Sequence, residues 1–232
     1  MSMIDAAAGP GGLTREAVEA LVRRTVYSYL PQTAAEEAVA PPLVVNISAR
    51  HAHLSQEGLE ALFGPGAELT VQKELYQAGA FAAEQTVTVF GPRQQMIASV
   101  RVLGPLRDSC QLELSFTDSR FLGIDAPVRL SGDIQDTPGC YLVGPAGGLA
   151  LDQGVIRAAR HVHMGPEDAR YYQVESGDRM RLVVDSEQGG TLEGILCRVD
   201  EDLKLEVHVD TDEGNALDLV HARSVELVKS RA

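Results

Sequence analysis

The sequence predicts a mainly β (α+β) protein: two related β-barrel domains from an internal duplication, with short helices and an N-terminal amphipathic helix. Three observations predict it. Arg50-His51-Ala52-His53-Leu54 returns as Arg160-His161-Val162-His163-Met164, at a constant offset of 110. Short alternating segments recur between Gly- and Pro-rich turns, the pattern of mainly-β barrels. Other segments repeat too. Gly66-Ala-Glu-Leu-Thr-Val matches Gly177-Asp-Arg-Met-Arg-Leu within one residue of the same offset, and Leu112-Glu-Leu-Ser-Phe-Thr-Asp resembles Leu205-Glu-Val-His-Val-Asp-Thr at an offset of 93. A period this long is not a solenoid repeat but a duplicated barrel.

Residues 1–42 read as a tail. Its first twelve residues are small and Gly-rich. Thr14 is an N-cap for a helix over residues 13–30, in which Leu13, Val18, Leu21, Val22, Val26 and Leu30 form an apolar stripe. Pro31 ends it, and Pro41-Pro42 closes a linker. A tethered amphipathic helix either packs on its own domain or second subunit, or docks on a partner.

Residues 43–154 form the expected first half and 155–232 the second. In the first, Leu43–Ile47, Glu68–Leu75, Thr86–Phe90, Ile97–Leu103 and Gln111–Phe116 read as strands, with Gly91-Pro92 turning the central pair. A short helical segment follows Leu54, and residues 131–154 are rich in Gly and Pro. In the second half, a helical segment follows Met164. Arg179–Asp185 and Leu192–Val199 form a hairpin around Gly189-Gly190. Leu203–Val209 is a strand, residues 210–219 a short helix, and Val225–Val228 the last strand.

Composition narrows the function. The formal net charge of −13, with no run of Lys or Arg, argues against a nucleic-acid partner. No apolar run reaches the roughly 20 residues of a membrane span. No basic segment precedes an apolar one at Met1, so the expectation is a cytoplasmic protein. Cys110, Cys140 and Cys197 show no CxxC spacing and read as small buried residues in a reducing compartment. Phosphate-loop, GxSxG and HExxH motifs are missing.

Four of the six His lie in the two repeated pentapeptides. On a strand, His-x-His sets both imidazoles on one face, where they reach a single tetrahedral metal ion. Two such pairs in equivalent places point to two metal sites, His51 with His53 and His161 with His163. Four imidazoles do not complete two sites. Glu113 and His208, on the last strand of each half, are the candidate third ligands; a solvated carboxylate and an ordinary strand imidazole are the alternatives. His221 reads as a surface residue. Arg50, Arg107 and Arg160 could hold an anionic substrate or pair with carboxylates. Ser131-Gly132-Asp133 is a turn that could donate to a phosphate oxygen or be a turn alone.

At these residues the chain resembles the PduL-type phosphotransacylases, or phosphate propanoyltransferases. The likeness covers about residues 43–229. It rests on Ser48-Ala-Arg50-His-Ala-His-Leu-Ser55, Phe81-Ala-Ala-Glu84-x-Thr-Val, Val102-Leu-Gly-Pro-x-Arg107 with Gln111-x-Glu113, Ser131-Gly-Asp133, Ala159-Arg-His-x-His-Met164 and His208-x-Asp-Thr-Asp-Glu213-x-Asn215. The family motif is often Ser-Asn-Arg-His-Val-His; here Ala49 and Ala52 replace Asn and Val, neither of them a ligand.

The resemblance implies two β-barrel domains around a dinuclear zinc site and reversible transfer of a short acyl group between coenzyme A and phosphate. It implies that His51, His53 and Glu113 hold one zinc, near the coenzyme A sulfur, and that His161, His163 and His208 hold the other. Arg107 would bind phosphate with help from Ser131, and Ser48 and Arg50 would contact coenzyme A. It further implies location in a bacterial microcompartment, with residues 13–30 docking on shell or core proteins, and leaves a homo-oligomer open. A dinuclear zinc hydrolase of thioesters and a non-catalytic zinc-stabilised shell component are the competing readings.

Overall fold

The computed structural model describes residues 40–230; the helix expected over residues 13–30 lies outside them. In chain order the strands and helices of the first half are β1 (Val44–Ser48), β2 (His51–His53), α1 (Gln56–Phe63), β3 (Val71–Glu74), β4 (Phe81–Phe90), β5 (Met96–Gly104), β6 (Gln111–Glu113), α2 (Phe116–Leu122), β7 (Val128–Arg129), β8 (Cys140–Val143) and β9 (Gly148–Leu151). Then come β10 (Val155–Ala158), β11 (His161–Met164), α3 (Pro166–Tyr172), β12 (Arg179–Asp185), β13 (Gly190–Val199), β14 (Glu206–Asp210), α4 (Thr211–Ala216), a 3-10 turn (Leu219–His221) and β15 (Ser224–Lys229). The fold is mainly β, as the sequence predicts, and its strands form two curled half-barrel sheets.

Side-chain alternation decides how each sheet is used. In β2 and the residue after it, Ala52 and Leu54 are fully buried in the first core, while His51 and His53 turn to the opposite face. In β11, Val162 and Met164 enter the second core and His161 and His163 turn away from it. The first core is built from Leu59, Leu62, Val87, Val100, Leu112 and Leu142, the second from Met180, Leu182, Ile195 and Val207. Aliphatic residues do the filling, as a chain without Trp requires.

The helices are short and capped. Ser55 accepts from Gly58 N at 3.1 Å to start α1, and Leu59 and Leu62 anchor it. Pro166 opens α3, with Asp168 reaching back to Gly165 N at 3.0 Å. Gly66 and Gly177, matched in sequence, both hold positive φ, 72° and 97°, where a Cβ would be strained.

Five elements escape the sequence reading: α2, β8 and β9, and the short strands β7 and β10. Residues 111–116 contain a three-residue strand and then the start of α2, because Ser115 caps a helix by accepting from Asp118 N at 3.2 Å. The Gly- and Pro-rich stretch after Ser131 contains β8 and β9, which pair antiparallel.

The two sheets do not follow the order of the chain. The first sheet runs β7-β10-β6-β2-β5-β4-β8-β9 with β3 on β4, and the second runs β1-β14-β11-β13-β12-β15. Strand β1 therefore pairs parallel with β14 across all five residues, and β10 pairs parallel with β6. Each half of the sequence gives its first strand to the other's sheet. Val45 and Ile47 accordingly pack on the second core and Val155 lies in the first.

Candidate metal centre

Pairing register assembles the candidate ligands. Strand β2 runs antiparallel to β6 and sets His51 opposite Glu113. Strand β11 runs antiparallel to β14 and sets His161 opposite His208. The second His of each pair shares the face of the first. The results are two clusters, His51–His53–Glu113 and His161–His163–His208, each with ligand atoms all within 4.8 Å of one another. Glu113 is thus equivalent to His208, an offset of 95 and not the 93 read from sequence. A slip of two residues preserves the strand face, so the two alignments present the same alternation.

In the first cluster His51 Nε2 lies 3.4 Å from Glu113 Oε2 and His53 Nε2 lies 3.9 Å from Glu113 Oε1. In the second, the three imidazole centroids are 4.7–4.8 Å apart. His51 Nδ1 is 2.9 Å from the Ala49 carbonyl and His161 Nδ1 is 2.8 Å from the Ala159 carbonyl. A carbonyl only accepts, so each Nδ1 carries the proton and each neutral ring offers its Nε2 lone pair inward.

The residues fit a metal ion. His53 Nδ1, His163 Nδ1 and His208 Nε2 are buried without a hydrogen-bond partner among the described residues. Each such atom costs about 1–3 kcal/mol unless something satisfies it. Three imidazole or carboxylate ligands with a fourth position open is the donor set of a catalytic zinc site.

Around the first cluster runs a hydrogen-bonded network. Ser131 Oγ donates to Glu113 Oε1 at 2.7 Å and accepts from Arg107 Nη1 and Gln111 Nε2, both at 2.9 Å. Gln111 Nε2 also donates to Glu113 Oε1 at 2.7 Å, and Gly132 N donates to Gln111 Oε1 at 2.7 Å. Around the second cluster Glu206 Oε2 sits 3.1 Å from His208 Nε2, out of hydrogen-bonding alignment. Gln77 Nε2 donates to that carboxylate at 2.7 Å, and Gln77 also bonds both backbone groups of Lys204. A loop of the first half is thereby strapped over the second.

Titration behaviour separates the clusters. Burial, then the charges of His51 and Arg107, lower the His53 pKa to about 3. Burial and His208 lower His161 to about 4, and burial with both neighbouring imidazoles lowers His163 to about 3. Burial also opposes charge on His51, yet Glu113 outweighs it and the His51 pKa is raised. Glu113 is buried too, but His51, His53 and Ser131 hold it well below the usual carboxylate range.

Both clusters open into one cavity of about 210 Å³. The ten residues to which the resemblance gives a role all line it: Ser48, Arg50, Arg107 and Ser131 as well as the six metal-ligand candidates. Arg50 is held there by Asp118, Nε to Oδ2 at 2.8 Å; the equivalent Arg160 is held by Glu213 at 2.8 Å and faces a neighbouring cleft. His221 is exposed and pairs with Asp218 at 2.6 Å. Sequence reasoning misses four polar lining residues: Arg198, Glu206, Gln77 and Asn46. Glu206 and Asn46 sit on strands beside a ligand, and Asn46 is in register with His208. Register is the signal that finds them, and it is not written in the sequence.

Residues 44–220 match a family model described as phosphate propanoyltransferase. The phosphate propanoyltransferase of Planctopirus limnophila is 56% identical over 227 residues, covering 94% of this chain and 93% of that protein. That of Thermotoga maritima is 51% identical over 177 residues, 76% and 84% of the two chains. That of Salmonella typhimurium is 47% identical over 176 residues, 75% and 83%.

Proposed function

The chain belongs to the phosphate propanoyltransferase family, and we propose that its acyl transfer between coenzyme A and phosphate takes place at a dinuclear zinc site formed by the two clusters. The observation that carries this is their shared cavity: two open three-ligand sets and Arg107 face one space. Bound zinc would polarise the thioester carbonyl and offset charge on the departing thiolate.

The chain's own residues do the positioning. Arg107 would bind phosphate: among the described residues its one hydrogen-bonded side-chain partner is Ser131, leaving further N–H groups for phosphate oxygens. Ser131 and Gln111 fix Glu113, and Ser131 fixes Arg107 as well, so substrate and ligand set share one frame. A phosphate oxygen then attacks the thioester carbonyl carbon directly; the new C–O bond forms as the C–S bond breaks, and coenzyme A leaves as thiolate. No protein nucleophile is needed, in keeping with the missing motifs. Ser48 and Arg50, which line the same cavity, would contact coenzyme A.

A thiol-release assay with acyl-CoAs of increasing length, with and without phosphate, tests the reading when paired with metal analysis. Thiol release that needs phosphate, and about two zinc per chain, are expected. Equal release without phosphate would mean a thioester hydrolase, and full zinc occupancy without release a structural component.

We place the enzyme in a bacterial microcompartment, with residues 13–30 docking on shell or core proteins; their apolar stripe supports it. A fluorescent protein carrying residues 1–42 should co-localise with shells, and the chain lacking them should not.

A further inference from the structure

Arg198 on β13 has no role in the machinery above. Its Cα is in register with that of His163, the middle ligand of the second cluster, and it lines the shared cavity. It is half-buried. Among the described residues it makes no hydrogen bond and no ion pair, whereas Arg50, Arg160 and Arg107 each hold a side-chain partner. The chain carries 33 acidic residues against 20 basic ones, so a half-buried guanidinium without a carboxylate is a departure from what the composition supplies. The first half offers no counterpart: Leu103 follows Val102, the register partner of Ala52, and so occupies the equivalent place beside His53. Arg198 also stands close enough to Arg107 for their like charges to act on each other. Two guanidiniums facing one cavity repel unless an anion lies between them.

We infer that Arg198 is a second anion-binding residue of the cavity, holding the phosphoryl group from the side of the second cluster while Arg107 holds it from the first. The inference rests on the acyl-transfer reading for the identity of the anion. The alternative anion is the diphosphate of coenzyme A. Arg198 sits in the ring of metal-ligand candidates, at the reacting end, and the pantetheine arm carries that diphosphate far from the sulfur.

The test compares Arg198→Gln and Arg198→Lys with the wild type. For R198Q the KM for phosphate should rise about 10- to 100-fold, the loss of one charged hydrogen-bonding partner, with the KM for acyl-CoA within about threefold and zinc content unchanged. R198K should recover part of the loss. A raised acyl-CoA KM with phosphate unmoved would assign Arg198 to coenzyme A and overturn the inference, as would no change in either. A second readout needs no turnover: inorganic phosphate should raise the thermal midpoint of wild-type protein, and the rise should at least halve in R198Q. If wild-type protein releases thiol without phosphate, the transfer reading fails, but the loss of that phosphate-dependent rise would still establish the anion site. If transfer holds and R198Q keeps the full rise, the inference alone fails.

Discussion

The two clusters are copies of one device, and they differ in charge. Each sits where an Arg-His-x-His strand meets an antiparallel partner, with the first His tied to a carbonyl two residues back. In the first copy the third candidate ligand is a carboxylate locked by Ser131 and Gln111; in the second it is an imidazole with Glu206 beside it. A divalent ion in the first would keep a net charge near one, and in the second a net charge near two. The same scaffold thus offers one face suited to a singly charged thiolate and another suited to a more highly charged phosphate. The repeat gives both clusters one geometry, and a carboxylate in one against an imidazole in the other gives them different charge.

That difference in charge can be broken. Glu113→Gln keeps the shape and removes the charge. Zinc should fall from about two to about one per chain, and acyl transfer should drop on the order of 10³-fold, several kcal/mol of transition-state stabilisation. Metal analysis and thiol release check it; retention of both ions would sink the assignment of this carboxylate. Arg107→Ala should leave zinc in place and raise the KM for phosphate about 100-fold. Initial rates over a phosphate series decide, and an unchanged KM would remove Arg107 from substrate binding.

Supporting residues should act on one copy only. Ser131→Ala should weaken the first metal site about 10- to 100-fold and Glu206→Gln the second by a similar factor, read by chelator competition. If either variant loosens both sites equally, the clusters are one coupled unit rather than two.

The smallest effect concerns pH in chelator-treated protein. His53, His161 and His163 have pKa values lowered to about 3, 4 and 3 in the fold. Below their ordinary value of 6.5 the unfolded chain binds more protons, so stability should fall as pH drops from about 6.5 toward 4, by up to about 1.4 kcal/mol per pH unit per proton. His51 is raised and has the opposite sign: its contribution is present below 6.5 and lost as pH rises through its folded value. His163→Gln should therefore flatten the denaturant-midpoint profile below about pH 6.5, and His51→Gln should remove a decline above it. Identical slopes for the two variants would contradict the contrast between the copies.

Much of this centre is legible in the amino-acid sequence alone. The spacing of His51, His53, His161 and His163 states both the strand face and the repeat, because alternation is local. Glu113 and His208 follow from the repeat, although the offset that matches their segments is two residues short of the one that superposes the ligands. What is not legible depends on partners distant in the chain. Arg198 has Leu103 at its equivalent place, so the repeat hides it. Strands β8 and β9 lie in Gly- and Pro-rich sequence where pairing overrides composition. Helix α2 begins where the strand pattern has not visibly ended, since a cap at Ser115 outweighs alternation two residues long.

The exchange of first strands has a consequence for synthesis. Strand β1 emerges early, but its one partner in the sheet, β14, is made about 160 residues later. The sheet carrying the second cluster stays unclosed until nearly the whole described chain has left the ribosome. The first sheet likewise waits for β10, already part of the second half. A product truncated before β14 would therefore hold every strand of the first sheet but leave the second, and the second cluster with it, incomplete. The cluster that depends on the end of the chain is the second, since His208 arrives on β14.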